Sequence, residues 1–199
     1  IYTSAAITFN QTFAEESYSV KTLHDQSKMF EGSSITKANP ASFSFDVPLT
    51  IEKDESIVLT LASDLSSSNT INSFDMYVQT GSSTFKLEGA VITSASFDFL
   101  PQNQFTMRVE GEGIKLTRAG DESFTIPGNA QSESATRTPL IVYPVVTLND
   151  GSAKTMGNIL SVNLNIQNEM EWTPYETLHD SLNSTTMFPS AHTVGKRII

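Results

Sequence analysis

Histidine is the scarcest chemically versatile side chain here, present only as His24, His179 and His192. Two of the three sit in a repeated tetrapeptide, Thr22-Leu23-His24-Asp25 and Thr177-Leu178-His179-Asp180. A Met-Phe pair follows each copy, Met29-Phe30 and Met187-Phe188. A histidine beside an aspartate can supply a metal ligand pair or an oriented base. Adjacent residues on a strand point to opposite faces, so the two side chains of one copy do not readily share an ion. The repeat therefore reads as surface His and Asp on two arms. Carboxylate doublets at Glu15-Glu16 and Asp54-Glu55 fall in expected loops. Glycosidase chemistry needs two carboxylates facing each other in a cleft, and nothing in the sequence places a pair so. Asn149-Asp150-Gly151 is too short for a calcium loop. Gly111-Glu112-Gly113 lies between two expected strands with no helix after it, so it reads as a turn and not a phosphate cradle. GxSxG, HExxH, GxGxxG and Walker A patterns are missing. The chain has no cysteine, which excludes disulfide frameworks, thiolate zinc sites, iron–sulfur clusters and cysteine nucleophiles. No metal or cofactor is expected, and no enzymatic activity. Trp172 could be a sugar-stacking platform, but a lone Trp is more often a core or interface anchor.

The elements that hold these residues are mostly strands. Ser42-Phe43-Ser44-Phe45-Asp46-Val47 alternates apolar and polar residues, as do Ser94–Phe99 and Gln104–Glu110. Such strands bury one face and wet the other. Leu100-Pro101-Gln102-Asn103 reads as the hairpin loop between the last two. Further strands are expected at Ser56–Ala62, Ser73–Thr80, Ser83–Leu87, Gly113–Arg118, Thr138–Leu148 and Ile159–Asn168, with Asn149-Asp150-Gly151 joining the last two into a hairpin. Gly81, Gly89 and Gly120 punctuate the rest. Helix signals are weak, the best being near Ser63–Ile71 or within Glu16–Phe30.

Three stretches lack a core pattern: Glu15–Ala41, Asp121–Thr138 and Tyr175–Ile199. Long structureless segments are often arms or partner-binding loops. The expected organisation is one β domain over residues 1–175, carrying a loop arm at 15–41, followed by a C-terminal arm at 176–199. The residues from Ile1 show no signal-peptide pattern, and the missing initiator methionine leads us to expect that something upstream is removed.

The chain has 199 residues, 38% hydrophobic and 17% charged, which is enough apolar material for a real core. The 22 acidic against 12 basic residues leave a net charge of -10. That balance disfavours a broad phosphate-binding surface and attraction to anionic membranes. The longest apolar runs, such as Pro139–Val146, are far too short to span a bilayer.

From about Phe43 to Gly120 the chain resembles bacteriophage tail tube proteins. The likeness lies in the order of its segments. An amphipathic strand after Asn39-Pro40 runs to Leu49, and Asp54-Glu55 punctuates a short apolar stretch to Leu61. Phe74-Asp75-Met76-Tyr77-Val78 then leads into Gly89–Phe99, and Phe105–Glu110 ends at Gly111-Glu112-Gly113-Ile114-Lys115-Leu116. The resemblance implies a mainly β fold, an antiparallel sandwich or half-barrel with at most one short flanking helix, here bearing long polar arms. It implies kinship with the tube proteins of contractile tails and type VI secretion. It also implies a homo-hexameric ring, stacked with others into a tube in the virion and assembled in host cytoplasm. Genomic DNA and tape-measure protein would pass through it without sequence-specific binding, and tail-tip and terminator proteins would be its neighbours. The long arms could mark a tail-tip or tube-initiating variant.

Within that frame, the expected lumen-facing residues are Ser42, Ser44, Asp46, Ser94, Ser96, Asp98, Thr106, Arg108 and Glu110, with Arg108 paired to a neighbouring carboxylate. Between Lys154 and Lys196 there is no Lys or Arg, while Glu169, Glu171, Glu176 and Asp180 are all there. That acidic stretch is expected to dock on Lys21, Lys28 or Lys37 of the next ring. Met29, Phe30, Trp172, Met187 and Phe188 complete the expected inter-subunit set. Two rival readings are a secreted carbohydrate-binding or adhesin-like sandwich, and a hydrolase with dispersed carboxylates.

Overall fold

The computed structural model describes residues 1, 3, 6–21, 29–52, 55–63, 71–80, 83–100, 103–121, 123–128, 138–141, 145–149, 151–157, 159–173, 190–192 and 197–198. Their fold is mainly β, a nearly closed, barrel-like antiparallel sheet with one helix. The main sheet runs β1 (Thr8–Asn10), β4 (Ala41–Pro48), β7 (Thr106–Gly113), β6 (Ser83–Phe99), β11 (Val162–Asn168) and β14 (Arg197–Ile198). β5 (Phe74–Thr80) and β8 (Lys115–Arg118) pair with the first half of β6. Three two-stranded ribbons form separate sheets: β2 (Phe13–Lys21) with β3 (Met29–Ala38), β9 (Val146–Asn149) with β10 (Ala153–Met156), and β12 (Glu171–Thr173) with β13 (Ser190–His192).

Alternation and register together build the core. Phe43, Phe45 and Val47 lie opposite Gly111, Val109 and Met107, and Ala95 and Phe97 continue the row to Ile166 and Leu164. Most of this face is buried, and Phe97, Phe99 and Phe105 close one end of it with ring centroids 4.7 to 6.4 Å apart. Each buried aromatic or aliphatic side chain contributes about 1.5–3 kcal/mol. Gly111 sits under the Phe43 ring because nothing larger fits. A Cβ there would collide with Phe43 Cζ and with the Val91 carbonyl oxygen.

The helix α1 (Ser56–Ser63) lies over this apolar face, against β6 and β11. Its segment is the one whose Ile57, Leu59 and Leu61 alternation predicts a strand. In the fold it buries Val58 and Ala62, one helical turn apart, and leaves Ile57 and Leu59 outward. Packing on the sheet has overridden a two-residue period in an eight-residue segment. Asn168 fastens the helix. Its buried amide donates to the carbonyls of Ala62 at 3.1 Å and Ile92 at 2.8 Å, so one side chain satisfies a helix C-terminal carbonyl and a strand carbonyl. The helix expected near Ser63–Ile71 falls largely outside the described residues. The alternative within Glu16–Phe30 is strand wherever described.

Other expectations are corrected. The arm over Glu15–Ala41 is largely the β2–β3 hairpin, a two-stranded sheet separate from the main one. Ser83–Leu87 and Ser94–Phe99 are parts of one 17-residue strand. Gly89 bends it, with φ +55, and donates its N–H to Asp75 at 3.0 Å. Gly111–Gly113 is strand rather than turn, and the chain bends one residue later, at Ile114. The turn after Asn149 returns into Ala153–Met156, while the later strand begins at Val162 and pairs with β6. Of Thr138–Leu148, Thr138 to Leu140 lace the end of the sheet through hydrogen bonds to Leu49, Ile51 and Phe105, and the strand proper begins at Val146. From the C-terminal stretch, Ser190–His192 and Arg197–Ile198 form short ladders with β12 and β11.

Gln11 joins two parts of the sheet. Its amide donates to the carbonyls of Asn39 and Ile114, both at 3.0 Å, and its oxygen accepts the Leu116 N–H at 2.9 Å. The side chain thereby stands in for a strand residue at the β7–β8 bend.

Candidate functional site

The side of the main sheet opposite the core is polar across five strands. Register puts Thr8 opposite Ser44, Asn10 opposite Ser42, Ser44 opposite Glu110, and Asp46 opposite Arg108. It continues with Ser96 opposite Arg108, Asp98 opposite Asn163, Ser96 opposite Asn165, and Ser94 opposite Gln167. All nine residues expected on the wet face therefore share it, with Thr106 opposite Pro48 at its end. Glu112, read from the sequence as part of a turn, belongs to the same row opposite Ser42. Sequence reasoning misses Thr8, Asn10, Asn163, Asn165 and Gln167 as members of this face, although the alternation of Asn163 and Asn165 with apolar neighbours carries the signal.

Short polar side chains on this face hold one another. Thr8 and Ser44 hydroxyls lie 2.6 Å apart, Asn163 donates to Asp98 at 2.5 Å, and Ser94 donates to Asn165 at 3.4 Å. Arg108 donates from Nε to Glu110 Oε1 at 3.1 Å. The expected carboxylate partner is thus two residues along the same strand, and Asp46 lies across from it. Both side chains of the pair are well exposed, so it fixes orientation more than stability. Asp46, Asp98, Glu110 and Glu112 against Arg108 leave three net negative charges on the face. A depression of about 290 Å³ between Asp46, Ser96, Asp98, Thr106 and Arg108 is open and polar. Among the described residues no group of three or more His, Asp or Glu is placed to hold a metal. Nor, among them, is any helix long and apolar enough to cross a membrane. Hydration and anion repulsion are what such a face does best.

The expected inter-subunit residues divide. Lys21, Met29 and Phe30 fall at the far end of the β2–β3 ribbon, with Lys21 opposite Met29, and Lys37 lies near its base opposite Ala14. Glu169 follows β11, and Glu171 and Trp172 lie on β12. The Trp172 indole N–H donates to Glu112, which ties that ribbon to the polar face and leaves a half-buried ring rather than an open platform. Lys28, Glu176, Asp180, Met187 and Phe188 lie outside the described residues, as do both Thr-Leu-His-Asp copies. His192 stands on β13 opposite Glu171.

A second cluster is structural. Lys86 Nζ lies 2.8 Å from Glu88 and 3.3 Å from Asp75, and 5.9 Å from the Tyr77 ring centre. Glu88 first, then Asp75, hold its pKa well above the ordinary 10.5 against the opposing effect of burial.

Residues 3–186 match the model of the Bacteriophage Baseplate Tube Protein Family. The chain belongs to that family. No curated protein matches it. A baseplate tube protein is a structural component of the phage tail, and this places the chain with the virion tail.

Proposed function

We propose that six copies of this chain join edge to edge into a ring, and that rings stack into the DNA-conducting tube of the tail or its baseplate. The observation that carries the reading is the polar face: five strands wide, made of hydroxyls, amides and acids, with Arg108, the cation found there among the described residues, paired to Glu110. Such a surface wastes no burial and suits a wet bore. With three net negative charges per copy, a ring of six presents about eighteen to a passing polyanion, so DNA slides without sticking. The sheet path ends at β1 and β14, which offer edges for neighbouring copies. The β2–β3 ribbon, with strands nine and ten residues long, spans about 30 Å and is suited to reach the next ring, where the acidic stretch around Glu169 and Glu171 meets its lysines. The tape-measure, tail-tip and terminator proteins are the partners this role entails. No enzymatic step is assigned to the chain.

Size-exclusion chromatography with light scattering, followed by negative-stain microscopy, tests the reading. Hollow rings or tubes with sixfold symmetry are expected. A monodisperse monomer at every concentration and salt would overturn it.

A further inference from the structure

Among the described residues, one apolar surface of this chain stands exposed and a second forms a groove. One is the β9–β10 hairpin, which belongs to no larger sheet. Its register puts Val146 opposite Met156 and Leu148 opposite Lys154 on one face, and Thr147 opposite Thr155 on the other, where the two hydroxyls lie 3.3 Å apart. Leu148 is 60% exposed and Met156 51%, and nearby Val145 and Leu160 are more exposed still. An isolated two-stranded hairpin is marginal in water, and one that shows its apolar side to solvent needs a cover. The other surface is a groove of about 400 Å³ between α1 and β5, lined by Ile7, Phe45, Ile57, Leu61, Phe74 and Met76 among others. Ile57 rises at its rim, 54% exposed.

We infer that the apolar face of the β9–β10 hairpin of one copy seats in the α1–β5 groove of the next copy around the ring. This rests on the ring reading above and names the contact that closes it. Charge supports the match. Lys154 lies within the hairpin's apolar face and has no acidic partner among the described residues, while Asp75 lines the groove and shares Lys86 with Glu88, a trio with one net negative charge. Donor and acceptor surfaces differ, so the contact is heterologous, the type that propagates around a rotation axis and closes into a ring. It lies on the core side of the sheet, where α1 sits, and so leaves the polar face free.

The absence of cysteine makes a clean test possible. Leu148→Cys and Ile57→Cys variants are made singly, mixed under assembly conditions and oxidised. Both positions are exposed, so the fold should survive, as circular dichroism will check. A mixed disulfide-linked dimer is expected, well above the yield of a Leu148→Cys and Tyr18→Cys mixture, since a disulfide requires Cα atoms within about 7 Å. The double variant should give a ladder that ends at the ring. Rings or tubes without the Leu148–Ile57 crosslink would overturn the inference and leave the ring reading standing. A crosslink confined within single chains would also overturn it. Monomers throughout would defeat both readings together.

Discussion

Reversing charge on the polar face separates a bore lining from an ordinary wet surface. Asp98 and Glu110 are both exposed there. Replacing both with lysine raises the charge of each copy's face from three negative to one positive. In a ring of six the lining goes from about eighteen negative charges to about six positive. The folding cost is small. The substitutions remove the hydrogen bond from Asn163 to Asp98 and the ion pair of Arg108 with Glu110, both exposed and worth about 0–1 kcal/mol each. The assay is retention of a short fluorescent duplex by purified tubes, with nuclease protection distinguishing DNA inside from DNA adsorbed outside. Wild-type tubes should retain none. Variant tubes should hold protected DNA, released steeply by salt. If six to ten phosphates are engaged, affinity should fall about 10³–10⁵-fold between roughly 50 and 200 mM salt. Intact variant tubes that protect no more DNA than wild type would refute the assignment of this face to the bore.

The remaining expectations concern fold and assembly. Asn168→Ala strands two buried carbonyls and should cost about 2–3 kcal/mol, a fall of about 5–10 °C in Tm by calorimetry. Gly111→Ala forces a methyl into Phe43 and the Val91 backbone and should abolish soluble expression, or at least shift the urea midpoint sharply downward. Lys86 has a folded pKa above its unfolded 10.5, so its stabilisation is complete below that pH and declines as pH rises beyond it. The Tm advantage of wild type over Lys86→Met should therefore narrow above about pH 10.5. Charge reversal of Lys21, Lys28 and Lys37 together should block tube formation in negative stain while circular dichroism stays unchanged.

The legible parts of this fold are those where one strand face meets the core and the other meets water. Phe43 to Val47, Ala95 to Phe99 and Met107 to Val109 show this pattern, and the nine polar positions between them do share a face. Segments with no such asymmetry mislead. The β2–β3 ribbon is a sheet of its own, and within it only a short run, Ser17 to Lys21, keeps a period of two. The helix α1 is eight residues long, too short for a 3.6-residue period to outweigh an accidental alternation of Ile57, Leu59 and Leu61. Gly111 and Gly113 suggest a turn by composition, yet they are demanded by side chains above them, Phe43 and Leu87, from other strands. The apolar exposure of Leu148 and Met156 is hidden for a similar reason: alternation reports that a face is greasy, not what lies against it.

The strand β6 carries a consequence for how the chain reaches its shape. It hydrogen-bonds to β5, β7, β8 and β11, so every large part of the sheet is attached through it. Its last neighbour, β11, emerges from the ribosome some 70 residues after it, a delay of several seconds at ~5–20 residues per second. During that interval one flank of β6 is raw, with Ala95 and Phe97 at its margin. Acquisition of the native state is accordingly governed by distant partners and is slow for a chain of this size. Until Ile166 arrives to pair with Ala95, that flank of β6 has no strand beside it.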